Sequence, residues 1–145
     1  MIDIDEFTRD CRPSIRGLVE HLGGEEAAVA FDADPRSAVG VLDDYVLRLP
    51  LAEFETEDWV GLHTDLTAFV TVVLLETYGG TCRIRPDDAL PSGGELVIDV
   101  VGPGPDAEPR TISPISLVYE YLVPVPQRIP RLLEAVERAA GPAVR

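Results

Sequence analysis

The chain has 145 residues, enough for one domain with one substantial core, and its 46% hydrophobic and 26% charged content is that of a folded globular protein. Twelve Arg face 26 Asp and Glu, for a net charge of −14, and there is no Lys at all. The missing Lys excludes a Schiff-base lysine, a Walker-type P-loop and a kinase-type Lys, and the negative balance argues against direct contact with nucleic acid, which demands an excess of positive charge.

There is also no Asn, and Gln127 is the one Gln, a bias expected of a GC-rich bacterial genome. The opening "MIDIDEFTRD" carries Asp3, Asp5, Glu6 and Asp10, without the basic start and apolar run of a secretory signal. The apolar stretch "AFVTVVLL" falls far short of the roughly 20 residues that cross a bilayer. Cys11 and Cys82 show neither CxxC nor zinc-finger spacing. The expectation is a soluble cytoplasmic protein with two reduced thiols and no membrane contact.

In chain order, "PSIRGLVEHL" at 13 to 22 predicts a short helix with Pro13 in its first turn, one apolar face and a stop at Gly23-Gly24. "EEAAVAFDAD" fits either a helical turn or an edge strand. Asp34-Pro35 is a helix start, and Val39, Leu42, Tyr45 or Val46, and Leu49 follow at helical spacing until Pro50. After the acidic connector "LAEFETED", the pattern predicts a long central helix over about 57 to 78 with Thr56 as N-cap. Trp59, Leu62, Leu66, Phe69, Val70, Val73 and Leu74 fall on one broad apolar arc, with Val72 and Leu75 opposite, so its later half should be buried by more than one element. "TCRIR" and "ELVIDVV" read as an antiparallel strand pair joined by "PDDALPSGG", "GPGPDAEP" as a loop and "RTIS" as a third short strand. "SPISLVYEYL" has both a helical face and strand-like alternation over 115–123; its Ser113-Pro114 start favours helix. "VPVPQ" should be extended, and "IPRLLEAVERAAG" should be the last helix. These elements make an α+β fold of helices on a small antiparallel sheet, in a single domain over 1-145.

The pair Gly79-Gly80 in "LLETYGGTCRIR" is not a phosphate loop. Such loops follow a strand and open a helix, so that free N–H groups face the anion. Here a helix precedes the glycines and a strand follows, so the end presents carbonyls, which repel phosphate. Gly79 is expected to be a left-handed residue closing the helix.

Little else in the chain resembles catalytic machinery. His63 falls inside the apolar arc of the central helix and His21 at a helix end, both readable as structural. His63 and Asp65 point about 200° apart on a helix and share no ligand. The acid pairs Asp43-Asp44 and Asp87-Asp88 and the DxD pairs Asp3/Asp5 and Asp32/Asp34 supply no converging metal site, and no Ser sits in GxSxG. No catalytic residue, metal or cofactor is expected.

The charge distribution is more specific. Residues 1 to 80 hold 17 acids against 5 Arg, whereas residues 81 to 145 hold 9 against 7. No basic residue lies between Arg48 and Arg83, while Glu53, Glu55, Glu57, Asp58, Asp65 and Glu76 accumulate there. Glu53, Glu55, Glu57, Asp58 and Asp65 are the candidate surface for a basic protein partner; Asp58, Asp65 and Glu76 share one side of the helix. The plain alternative is a solvated acidic surface that keeps the protein soluble.

The succession of a long helix with Trp59 near its start, a Gly79-Gly80 end, a strand pair and "SPISLVYEYL" resembles small bacterial α+β domains of unknown function, over about residues 56 to 122. The resemblance implies an α+β fold and no activity. Two functional readings follow: a non-enzymatic acidic interaction protein, accessory, antitoxin-like or immunity-like, binding a basic protein; or a small enzyme or ligand-binding domain with a carboxylate and His63 pocket beside the central helix.

Overall fold

A computed structural model describes residues 3–91, 93–102, 107–122 and 127–141, without the side chains of residues 121 and 122. Ser92 of the strand connection, residues 103–106 of "GPGPDAEP" and residues 123–126 of "VPVPQ" lie outside the described residues. The architecture is α+β, with five α-helices and two short 3-10 turns among the described residues packed with a three-stranded antiparallel sheet.

The central helix, α3, spans Thr56–Glu76, and every residue from Leu66 to Leu74 is buried. Its start lies one residue before the expected one. Glu55, not Thr56, is the N-cap, because Asp58 reaches back to accept the Glu55 N–H at 3.0 Å in a capping box. Within the buried run the Thr71 hydroxyl donates to the Thr67 carbonyl at 2.7 Å, which satisfies the hydroxyl without an outside partner.

Helix α1 spans Ile4–Ala33 and breaks at Gly24, whose φ of 81° is non-helical. Arg12 and Asp32 would stand about 30 Å apart on a straight helix, yet their side chains meet at 3.0 Å. The helix therefore folds back on itself, with Arg12 and Arg16 of the first arm clasping Asp32 of the second. One sequence expectation is corrected and one open alternative is decided. The first arm begins at Ile4, capped by Asp3, so Pro13 lies inside it; and of the two readings of "EEAAVAFDAD" the helical one holds through Ala33, with Ala28 and Phe31 in the core. Tertiary burial of Phe31 decides what the local pattern left open.

Asp34 accepts the Arg36 N–H at 3.0 Å and starts the 3-10 turn Pro35–Ala38, which runs into α2, Val39–Arg48; a second 3-10 turn, Leu51–Glu53, leads to α3. Strands β1 (Thr81–Pro86), β2 (Gly94–Val101) and β3 (Pro109–Ile112) pair in that order, both pairs antiparallel, with Cys82 opposite Ile98 and Ile98 opposite Ile112. Leu96, Val97, Ile98 and Val100 are buried, while cross-strand ion pairs Arg83–Asp99 and Arg85–Glu95 hold the more exposed positions. Helix α4, Pro114–Leu122, is helical as its cap-and-proline start predicts, the Ser113 hydroxyl accepting the Ser116 N–H.

Helix α5, Ile129–Ala140, is fastened to α2 by one carboxylate. Asp43, 7% exposed, accepts from the Arg128 guanidinium at 2.7, 3.0 and 3.1 Å and from the Ile129 N–H at 3.0 Å. It caps α5 and neutralises itself at once. The Arg128 hydrogen bonds hold its carboxyl below the usual carboxylate range, against the opposing effect of burial.

The two glycines after α3 are needed for different reasons. Gly79 has φ of 67°, the left-handed closure expected of it. Gly80 donates to the Leu74 carbonyl at 2.9 Å, and a Cβ on it would stand 2.5 Å from Ile98 Cγ2 and 3.0 Å from the Leu74 oxygen. Gly79→Ala is expected to cost about 1 kcal/mol through backbone strain, and Gly80→Ala about 1–3 kcal/mol through overpacking. Urea unfolding midpoints check the order, which fails if Gly79→Ala is the more damaging. Asp43→Ala is expected to cost about 1.5–3 kcal/mol through lost charge-assisted hydrogen bonds. A loss no larger than that of Asp44→Ala, measured the same way, would refute the clamp.

Candidate functional site

The acidic residues singled out by sequence cluster at the start of α3. Glu53 closes the second 3-10 turn, Glu55 and Asp58 form the capping box, and Glu57 lies in the first helical turn, where negative charge meets the positive end of the helix dipole. All four are exposed. Asp65 is half-buried, and burial raises its pKa above the usual carboxylate range. At 100° per residue Glu57, Asp58 and Asp65 fall within about 100° of one another.

Glu76 is brought elsewhere. It pairs with Arg12 of α1 at 3.1 Å, so its place in the helical stripe does not make it part of an unpaired face. The same holds for other carboxylates: Asp32 pairs with Arg12 and Arg16, Asp34 with Arg36, Asp43 with Arg128, Glu95 with Arg85 and Asp99 with Arg83. Among the described residues, none of Glu53, Glu55, Glu57, Asp58 and Asp65 takes part in an ion pair. A cavity of about 540 Å³ where α1 and α3 end is lined by Asp32, Asp34 and Glu76, but each of these carboxylates already has an Arg partner.

Directly beside the acidic stripe lies a second feature. A groove of about 290 Å³ is lined by Phe7 of α1, Val60, His63, Thr64 and Thr67 of α3, and Ile115 and Tyr119 of α4. Val60, Ile115 and Tyr119 are 60%, 43% and 59% exposed. A file of rings leads to it: Phe54 meets Trp59 at 5.2 Å, Trp59 meets His63 at 6.0 Å, and within the groove His63 meets Tyr119 edge-on at 4.6 Å. The Nε2 of His63 is buried without a hydrogen-bond partner, and burial lowers the His63 pKa, so the ring is neutral at neutral pH.

Sequence reasoning located His63 but missed the groove, because Phe7, Val60 and Tyr119 are far apart along the chain. The signal was Val60 and Tyr119, apolar residues outside the apolar arcs of their helices. The arrangement is suited to holding apolar surface. Among the described residues its lining brings no carboxylate to His63, and no group of three or more His, Cys, Asp or Glu is placed to hold a metal ion. Both thiols are free, and burial pushes Cys11 up to about 11 and raises Cys82, which makes them poor nucleophiles.

Asp65 and His63 carry opposite pH signatures. A carboxyl raised by folding weakens the protein at neutral pH, and the penalty disappears below the unfolded pKa of about 3.9. Asp65→Asn is therefore expected to stabilise at pH 7, by less than about 1 kcal/mol because the group is half-exposed, with the gain vanishing toward pH 4. His63, lowered by folding, contributes stability above its unfolded pKa of about 6.5 that is lost as pH falls, so wild type should weaken relative to His63→Phe below that point. Chemical unfolding of the three proteins between pH 4 and 8 checks both signs; pH-independent differences would refute them.

No protein-family model, no curated protein and no solved structure matches this chain.

Proposed function

We propose that this chain is a non-enzymatic acidic interaction protein, of the accessory, antitoxin-like or immunity-like kind, acting in the bacterial cytoplasm by docking a basic protein. The observation that carries the reading is the gathering of Glu53, Glu55, Glu57, Asp58 and Asp65, none of them in an ion pair among the described residues, at one end of α3 in a stretch with no basic residue between Arg48 and Arg83. An exposed cluster of one sign raises the encounter rate with a partner of the opposite sign, with a reach of about 8–10 Å at physiological salt. A half-buried Asp65 without a counter-charge costs stability that a basic partner would recover.

The second reading, a small ligand-binding domain, draws on His63 and the groove beside it. The groove's lining is almost wholly apolar and brings no carboxylate to His63, so it supports uptake of apolar surface better than acid–base chemistry.

Glu55 and Asp58 cap α3, so neutralising them confuses binding with folding. Glu53→Gln with Glu57→Gln leaves the cap in place. Glu25→Gln with Glu26→Gln, an exposed pair on the second arm of α1, makes the matched control. With a partner captured at low salt from the source cells, the Glu53/Glu57 variant is expected to associate several-fold more slowly than wild type, with a shallower salt dependence, while the control retains most of the wild-type rate. Equal rates and salt slopes for all three proteins would reduce the acidity to a matter of solubility.

A further inference from the structure

The groove and the acidic stripe form one continuous surface. Around α3, His63, Thr67, Val60 and Thr64 occupy one arc, and Glu57, Asp65 and Asp58 the arc that follows it, with about 20° between Thr64 and Glu57. Among the described residues, three of the seven large exposed apolar side chains, Val60, Ile115 and Tyr119, gather in this one groove; the other four are Val29, Leu47, Leu90 and Val101, spread over α1, α2, the β1–β2 connection and β2. A clustered apolar patch with a polar rim marks a contact site, whereas single exposed apolar residues do not.

The rim is acidic on more than one side. Glu57 lies one turn before Val60, Asp3 lies one turn before Phe7, and Glu120 follows Tyr119, whereas Asp10, one turn after Phe7, pairs with Arg9 at 3.8 Å. Along α3 the groove runs from Val60 to Thr67, about 10 Å, or two helical turns. That length matches apolar anchors spaced three or four residues apart on a partner helix.

We infer that the groove is the anchor site of the docking surface and that its occupant is a basic amphipathic helix, whose apolar side chains seat against Phe7, Val60, Ile115 and Tyr119 while its Arg or Lys side chains reach Glu57 and Asp58. The inference rests on the reading that the acidic face docks a basic protein.

The test uses fluorescein-labelled helical peptides, each with one Leu/Phe face: one with Arg and Lys on the remaining face, one with Glu there, and a third keeping the Arg and Lys but with Ser on the apolar face. Anisotropy reads affinity, and the fluorescence of Trp59, the one tryptophan, reports on the groove through its ring contact with His63 at 6.0 Å. The basic amphipathic peptide should bind at least tenfold tighter than either other peptide and perturb Trp59. Val60→Ser and Tyr119→Ser, both at exposed positions and checked for native circular dichroism, should each weaken it at least fivefold. If the basic peptide binds no tighter than the acidic one, the basic occupant is wrong. Unchanged affinity in Val60→Ser and Tyr119→Ser would remove the groove, yet leave the acidic face standing if Glu53→Gln with Glu57→Gln still slows the captured partner. Sedimentation showing a dimer that Tyr119→Ser dissociates would make a second copy the occupant and overturn the inference, as would no measurable binding of any peptide.

Discussion

The constraint on which the rest of the fold depends is the burial of α3 from Leu66 to Leu74 on every side. A helix with one apolar stripe can lie on a surface; one apolar all round must be enclosed. Each buried Leu, Val or Phe contributes about 1.5–3 kcal/mol only if it is taken fully from water, so the chain must supply walls in several directions. The folded-back α1, the sheet through β2, and helices α4 and α5 all pack against α3. The bend at Gly24 and the close approach at Gly80 follow from the same demand, since each brings an enclosing element within reach. The Asp43 clamp then locks α2 to α5 on the outside of that enclosure.

The same helix has a different character at its start. Between Thr56 and Thr64 most residues are exposed or half-buried, and the charged and aromatic groups gather there. One element therefore serves as core at its C-terminal end and as surface at its N-terminal end. That division places the acidic stripe and the groove on a rigid support. A site on a helix anchored by nine consecutive buried residues holds its side chains in fixed relation, which a loop of the same composition does not.

Electrostatics divide the molecule in the same way. Arg residues from α1, β1 and the start of α5 meet carboxylates elsewhere in the fold, some of them 16 to 85 positions apart in sequence. Such pairs fasten α1 to itself, α2 to α5 and the strands to each other. The start of α3 has no Arg, and among the described residues its acids take part in no ion pair. The acidity there is therefore an unbalanced field, while the acidity around Asp32, Asp34 and Glu76 is internal structure.

Much of the architecture was legible in sequence because its signals are local. Helical spacing, the Ser113-Pro114 start, the Gly79 stop and alternating strands act within a few residues, so the α+β class, the central helix, the strand order along the chain and the last helix could be read directly. The start of α1, residues 4 to 12, was missed because its acidic run hides a weak apolar face, whereas the helix over 13 to 22 was read; the second arm was ambiguous because nine residues carry little periodic signal. Which acids stay unpaired was not legible either: Asp58, Asp65 and Glu76 look alike on a helical projection, and only the fold brings Arg12 to Glu76. The groove was invisible for the same reason, since Phe7, Val60 and Tyr119 come from three helices. The sequence by itself determined the composition, the elements and the sign of the charge, because these depend on each residue and its near neighbours. The tertiary structure alone decided which charges are neutralised and where apolar surface remains open, because both depend on contacts between segments that no local pattern encodes.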